Sequence, residues 1–203
     1  MRSADEIVVD LSEAERAAGQ IRDKLLDLRQ RYDLARYEYT RAVRVAPNAI
    51  PHSHPVLTLN TRVQDEAELL LVYLHEQMHW YLTWFSHAHP DPWRAARAIL
   101  TDRYPSLPTT FPEGAHTRDS SQLHLMVNWL ELEAGAVFLG RPKAVAIAEA
   151  NFVYRGIYRI VLSDWGALSD LYREYGLSPI RPATDMGAGD LELAARSEEA
   201  VSA

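Results

Sequence analysis

The sequence predicts an α+β fold in which helix is in excess, and three observations predict it. Long segments carry apolar residues at helical spacing, and Pro or Gly separates them. Two short segments with alternating apolar positions lie between the first and second helical segments. The resulting order is one helix, two strands and then several helices, which is typical of an α+β domain. We assign residues 1–181 to one domain and predict that 182–203, rich in Gly, Ala and Glu, form a loose tail.

The first third of the chain contains the predicted strands. We expect a helix from Leu11 to Tyr32, with Ser12 as its capping residue. The remaining predicted elements are a strand at 34–45, a Pro-rich loop at 47–55 and an edge strand at 56–61.

The rest of the chain is predicted to be helical between Pro-rich breaks. Acidic residues in the first turn and a dense apolar pattern predict the strongest helix at 65–86. The later helices are expected at 93–100, from Ser120 or Ser121 to Leu139, and at 154–175.

Composition excludes several classes of protein. The formal net charge of −7 argues against a nucleic-acid-binding protein, because phosphate contacts need clustered Lys and Arg. The chain has no Cys, so any metal must be held by His and carboxylate side chains. We find neither the apolar run of a signal peptide nor a membrane span and therefore expect a soluble, cytoplasmic protein.

The segment His75-Glu76-Gln77-Met78-His79 has the H-E-x-x-H pattern of a zinc site. Residues four apart lie on one face of a helix, so His75 and His79 can bind the same ion. Glu76 is then placed to take a proton from water. The surrounding helix is apolar on nearly every face, and burying these polar groups is unfavourable unless they have partners. The alternative is a pair of core histidines that are satisfied by hydrogen bonds.

A stable zinc site needs a third protein ligand, and a later apolar helix offers candidates. His124, Asn128 and Glu131 share one face of that helix. We expect His124 to be the ligand, with Glu131 either as its hydrogen-bond acceptor or as the ligand itself. The other candidates, several of them in loops, are Glu133, His116, Asp119, His87 and His89.

Two further pairs of residues are candidates for contact with a substrate. Tyr154 and Tyr158 lie on one helical face, and a phenol near the metal would stabilise an oxyanion, although such a pair also suits core packing. His52 and His54 precede the edge strand, where a substrate backbone can pair. The alternative for these histidines is an ordinary surface turn.

On these residues, the sequence resembles the zincin metallopeptidases. The match is the H-E-Q-M-H segment at His75–His79, preceded by strand and turn and followed by a ligand-bearing helix, and the layout is closest to a minimal gluzincin-type domain. The resemblance implies a small antiparallel sheet packed on the motif helix and on a second ligand-bearing helix. It also implies that His75 and His79 bind zinc and that Glu76 is the general base.

Three functions are compatible with this pattern. The first is a zinc-dependent, peptidase-like hydrolase, and the second is a metalloenzyme of the same scaffold that acts on a small molecule. The third is a non-catalytic protein with a structural metal, whose ion would be fully coordinated by protein. Zinc is the expected ion, and Fe(II) becomes an alternative if Glu131 replaces His124 as ligand.

Overall fold

The computed structural model describes residues 8–11, 16–63 and 65–196. In this part of the chain the protein is mainly helical, with a small sheet. The strands are β1 (Val8–Leu11), β2 (Ala42–Val45) and β3 (Leu57–Leu59). The helices are α1 (Arg16–Arg31), α2 (Glu66–Ala88), α3 (Pro90–Arg103), α4 (Arg118–Leu139), α5 (Arg141–Ala150), α6 (Arg155–Ser163), α7 (Trp165–Glu174) and α8 (Ala188–Ala194).

The described chain divides into two compact units. The first contains the residues up to Trp84 together with those from Pro182 onward, and the second runs from Phe85 to Arg181. The division falls inside α2, close to its end.

The sheet of the first unit is parallel, so the prediction of an antiparallel sheet is wrong. Its strand order is β1-β2-β3, and both pairings are parallel. The connections between the strands are long enough to allow this orientation. Helix α1 lies between β1 and β2, and residues 46–56 lie between β2 and β3. Connections of this length return the chain to the end where the previous strand began, whereas an antiparallel hairpin needs only a tight turn.

The strand predicted at 34–45 forms only in its second half. Residues Leu34–Tyr37 are a short 3-10 helix, and β2 begins at Ala42. Leu34 and Tyr37 are buried at 3-10 spacing, a local arrangement that alternation of Tyr, Val and Thr does not reveal. The second predicted strand is confirmed as the shorter β3.

A partly buried ion pair, in which the carboxylate of Glu38 is the buried member, joins α1 to the segment that leads into β2. Arg29 donates to Glu38 through Nε at 2.7 Å and through Nη2 at 2.9 Å. Tyr73 of α2 donates its hydroxyl to the same carboxylate at 3.1 Å. Burial, followed by the charge of Glu38, raises the pKa of Tyr73 well above its usual value, so this phenol remains a donor.

The helix that the sequence predicted most strongly, at 65–86, is confirmed as α2. Asp65 caps it, because its Oδ1 accepts from the backbone N–H groups of Ala67 at 2.8 Å and Glu68 at 3.0 Å. From Leu69 to Ser86 every residue except Val72 is buried. A helix buried on nearly all faces is held by packing, as its composition predicted.

The second unit consists of α3–α7 and differs from prediction at several helix ends. Helix α3 begins at Pro90, where the missing N–H is harmless, whereas the sequence interpretation used this Pro as a break. Thr117, rather than Ser120 or Ser121, caps α4 by accepting from the Ser120 N–H at 3.0 Å. The helix predicted at 154–175 is broken at Asp164 into α6 and α7.

The described part of the segment beyond Pro182 differs from the loose tail that its composition suggests. It forms a short 3-10 helix and α8. Asp190 of α8 accepts from Trp84 Nε1 at 2.9 Å, and the carbonyl of Ala194 accepts from His54 Nε2 at 2.9 Å. These side-chain bonds to distant residues are not visible in local composition. Residues 197–203, like the predicted capping residue Ser12, lie outside the described part.

Over the described ranges, no helix combines the length and the apolar character that crossing a membrane requires.

The Arg29–Glu38 pair predicts a measurable stability difference between two arginines of α1. Arg29→Met leaves a buried carboxylate without its main partner and is expected to lower the free energy of unfolding by about 3 kcal/mol. Arg22→Met is the matched control, because Arg22 pairs with Asp23 at the exposed surface and a loss of about 0.5 kcal/mol or less is expected. Urea unfolding of both variants measures the difference. Equal destabilisation would contradict the account.

Candidate metal centre

Helix α2 brings His75 and His79 together on one face. Their Nε2 atoms are 3.3 Å apart and their ring centroids 5.0 Å apart. The residues are 9% and 6% exposed. A tetrahedral zinc ion with bonds of 2.0–2.1 Å separates its nitrogen ligands by about 3.3 Å, so the observed spacing suits a shared ion. One hydrogen bond between opposite tautomers is the alternative for the same distance.

Helix α4 positions His124 with a defined tautomer. Its Nδ1 lies 2.7 Å from the carbonyl oxygen of Ser120. Because a carbonyl only accepts, Nδ1 carries the proton, and Nε2 is the nitrogen that has the lone pair in this tautomer. Metal-binding histidines commonly use this arrangement, in which one nitrogen donates to the protein and the other binds the ion.

His75, His79 and His124 form a group that can hold a metal ion. Each offers one ligand atom, and these atoms all lie within 4.8 Å of one another. The predicted ligand His124 is therefore part of the group, whereas the alternative ligand Glu131 is not. Three imidazoles from two helices are a donor set that suits zinc.

Glu76 and Gln77 occupy different faces of α2. At about 100° per residue, Glu76 lies beside His75, whereas Gln77 points to the opposite side. Glu76 is 5% exposed. Gln77 Oε1 accepts from the Tyr39 and Thr40 N–H groups at 2.9 and 3.2 Å, and its Nε2 donates to the Thr40 carbonyl at 2.8 Å. Gln77 thus fixes the rotation of α2 about its axis, and with it the direction of the two imidazoles.

Glu131 and Tyr158 form a buried pair within the second unit. The hydroxyl of Tyr158 donates to Glu131 Oε2 at 2.7 Å. Burial, and then the charge of Glu131, raises the pKa of Tyr158 well above its usual value, so the phenol keeps its proton. The contact gives Tyr158 a positioning role that spacing alone did not indicate.

Tyr154 lies directly against a candidate ligand. Its ring centroid is 4.1 Å from that of His124. Its φ of 58° is in the left-handed region, where a bulky residue is strained. Such strain persists only where the surroundings impose it, and it clusters at functional sites. Tyr154 is thus the member of the predicted tyrosine pair that contacts the centre.

Asn128 shares the face of α4 that carries His124 and Glu131. It is 0% exposed, and neither its Oδ1 nor its Nδ2 has a hydrogen-bond partner among the described residues. A buried amide without partners is unfavourable by about 1–3 kcal/mol. The sequence showed its position on the helix but not this lack of partners.

The remaining candidates lie outside the three-histidine group. His54 donates to Ala194, accepts from Ser53 Oγ at 3.0 Å and stacks on Trp80 at 4.4 Å, so it has a structural role. The other residues that were weighed as ligands and that the group does not contain are His87, His89, His116, Asp119 and Glu133.

Comparisons with family models, with curated proteins and with solved structures find no match for this chain.

The unpartnered amide of Asn128 predicts that an apolar replacement stabilises the protein. Asn128→Leu keeps the number and branching of the side-chain heavy atoms and removes the buried polar atoms, so the melting temperature is expected to rise by about 2–6 °C. Leu123→Asn provides the opposite control, because it places a new amide at a buried apolar position of the same helix and should lower the melting temperature. Differential scanning calorimetry measures both. A fall in the melting temperature of Asn128→Leu would mean that Asn128 is satisfied, contrary to this account.

Proposed function

We propose that this protein is a zinc-dependent hydrolase in which His75, His79 and His124 hold the metal and Glu76 is the general base. The observation that carries the proposal is the convergence of three buried imidazoles from two helices, with ligand atoms within 4.8 Å. Two of them belong to an H-E-x-x-H segment, and the third is the tautomer that has its lone pair on Nε2. The likeness of this segment to the zincins supports the same conclusion.

The donor set favours zinc over the alternative Fe(II). A two-histidine, one-carboxylate iron site would need Glu131, which accepts from Tyr158 and does not belong to the group. Three histidines leave one position of a tetrahedral ion open. When bound there, zinc supplies a Lewis acid that polarises a carbonyl and lowers the pKa of water to about 7.

Three side chains of the protein have separate roles in the proposed hydrolytic step. Glu76, buried beside His75, takes a proton from the attacking water as the water oxygen bonds to the substrate carbonyl carbon. It then returns this proton to the leaving amine or alcohol as the carbonyl–heteroatom bond breaks, which yields a carboxylic acid and the free leaving group. Tyr154, whose ring contacts that of His124, would donate its hydroxyl to the oxygen on which negative charge develops. Tyr158 contributes indirectly by holding Glu131.

A small-molecule substrate is the second candidate, and the outer edge of β3 favours it over an extended peptide. The N–H of Thr58 donates to the His52 carbonyl at 2.8 Å, and the Thr58 carbonyl accepts from the His52 N–H at 3.1 Å. The groups that a substrate backbone would use to add a strand at this residue are therefore engaged within the chain. Amides or esters of compact molecules do not need that edge.

The metal ligands can be tested by zinc content. Wild-type protein, purified without a His tag and dialysed against zinc buffer, is expected to hold about one zinc per chain, since three histidines complete the site. His124→Ala is expected to lose most of this zinc, whereas Glu131→Gln retains it. His87→Ala, outside the group, serves as the matched histidine control. Plasma mass spectrometry gives the ratios, and retention of zinc by His124→Ala would rule out this ligand set.

The general base can be tested with the metal kept in place. Glu76→Gln removes the proton acceptor without removing a ligand, so hydrolysis of a panel of p-nitrophenyl esters and amino-acid anilides should fall by about 10²–10⁴-fold. The zinc content should stay the same. Glu68→Gln, at an exposed position of the same helix, should leave the rate unchanged. Zinc-loaded wild type that hydrolyses nothing in the panel would favour the non-catalytic alternative, and unchanged turnover in Glu76→Gln would exclude its role as base.

A further inference from the structure

We propose that Phe111, Phe152 and Val153 form an apolar subsite that binds an aromatic-sized, uncharged part of the substrate. This inference rests on the proposed hydrolase function and adds the class of substrate: a compact amide or ester that carries an apolar group some distance from the bond that is cleaved.

These three side chains are exposed although they are apolar. Phe111 is 57% exposed, Phe152 56% and Val153 41%. The two phenyl rings meet edge to face, with centroids 5.6 Å apart. Among the described residues the other large apolar side chains at the surface, Ile50 and Val137, belong to other segments. The Arg155 guanidinium carbon lies 5.5 Å from the centroid of the Phe152 ring, at the edge of this group. Large apolar side chains that are exposed together, unlike single exposed residues, are typical of a binding surface.

The two loops that carry the patch are fixed to each other. Glu113, two residues after Phe111, pairs with the guanidinium groups of Arg155 and Arg159. Its backbone carbonyl also accepts from the Gly156 and Ile157 N–H groups at 3.1 and 3.2 Å. A Cβ on Gly156 would approach that carbonyl to 2.8 Å, so the close contact requires glycine. Because the two loops are held together, binding a ligand to the exposed rings would not need a large loss of conformational entropy.

The patch is adjacent in sequence to a residue that contacts a candidate metal ligand. Phe152 and Val153 immediately precede Tyr154, whose ring contacts that of His124 at 4.1 Å. Two residues span at most about 7 Å of backbone, so the backbone of Phe152 lies within about 7 Å of that of Tyr154. The left-handed φ of Tyr154 lies where the chain passes from the exposed residues Phe152 and Val153 to the less exposed Tyr154.

The size of the patch favours part of a small molecule over a second protein. An aromatic side chain has about 150–250 Å² to bury, so three partly exposed residues offer on the order of 300 Å². A stable protein–protein interface buries about 800 Å² on each partner. One phenyl group or a short branched alkyl group matches the area available.

The experiment uses two hydroxamates as metal-anchored probes of the zinc-loaded full chain. Acetohydroxamate tests the anchor alone, and 6-phenylhexanohydroxamate adds a phenyl group on a flexible spacer. Calorimetric titration is expected to show that the phenyl compound binds about 10–50-fold more tightly, since its ring leaves water for an apolar surface. In the double variant Phe111→Ser/Phe152→Ser most of this gain should disappear, while the affinity for acetohydroxamate stays the same.

Ile50→Ser is the matched control, because Ile50 is exposed but belongs to a different segment, and it should keep the full gain. Unchanged acetohydroxamate affinity shows that each variant retains its fold and its metal. A phenyl gain that is absent in wild type, or that survives in the double variant, overturns the subsite and leaves the hydrolase proposal standing. Failure of acetohydroxamate to bind the zinc-loaded protein overturns both. A wild-type dimer in light scattering that the double variant abolishes would instead make the patch an interface between two copies.

Discussion

The unfavourable burial of polar side chains within apolar helices is the constraint on which this structure depends. Helix α2 is buried from Leu69 to Ser86 except at Val72, and α4 is buried from Ser121 to Leu132. Imidazole, carboxylate and amide groups in such helices need partners, because each loses its hydration on folding. Gln77 and Glu38 find them within the protein. The ligand atoms of His75, His79 and His124 lie close together, an arrangement that would suit a bound cation.

Several features that depart from simple stability rules occur around these histidines. Asn128 is buried without hydrogen-bond partners in the described chain, one helical turn after His124. Tyr154 has a left-handed backbone conformation that a large side chain rarely adopts, and two phenyl rings beside it face solvent. Departures from the local rules of stable folding occur mainly at functional sites. Because these features lie on α4 and on the loop that contains Tyr154, they support the proposed centre.

The parts of the fold that the sequence predicts are those determined by local chemistry. Periodicity predicted α2 and the body of α4, and Gly140, with a φ of 77°, ends α4 where expected. The i, i+4 rule placed His75 with His79, and the polar interruption of a buried helix predicted that His124 would join them.

The features that sequence reasoning missed depend on contacts between distant residues. The parallel sheet follows from how the chain returns between β2 and β3, and alternation within a strand is the same in either orientation. Helix α8 is held by Trp84 and His54, far from it in sequence. The different surroundings of Tyr154 and Tyr158 also depend on tertiary contacts. The ring of Tyr154 contacts that of His124, whereas the hydroxyl of Tyr158 donates to Glu131.

The most direct test of the central claim is X-ray absorption at the zinc edge of the zinc-loaded protein. The account predicts three imidazole nitrogens at about 2.0–2.1 Å from the zinc ion and one oxygen, because a site with three protein ligands leaves its fourth position to water. A shell with one imidazole or none, or one made mainly of carboxylate oxygens, would contradict it and would mean that zinc binds elsewhere on the chain.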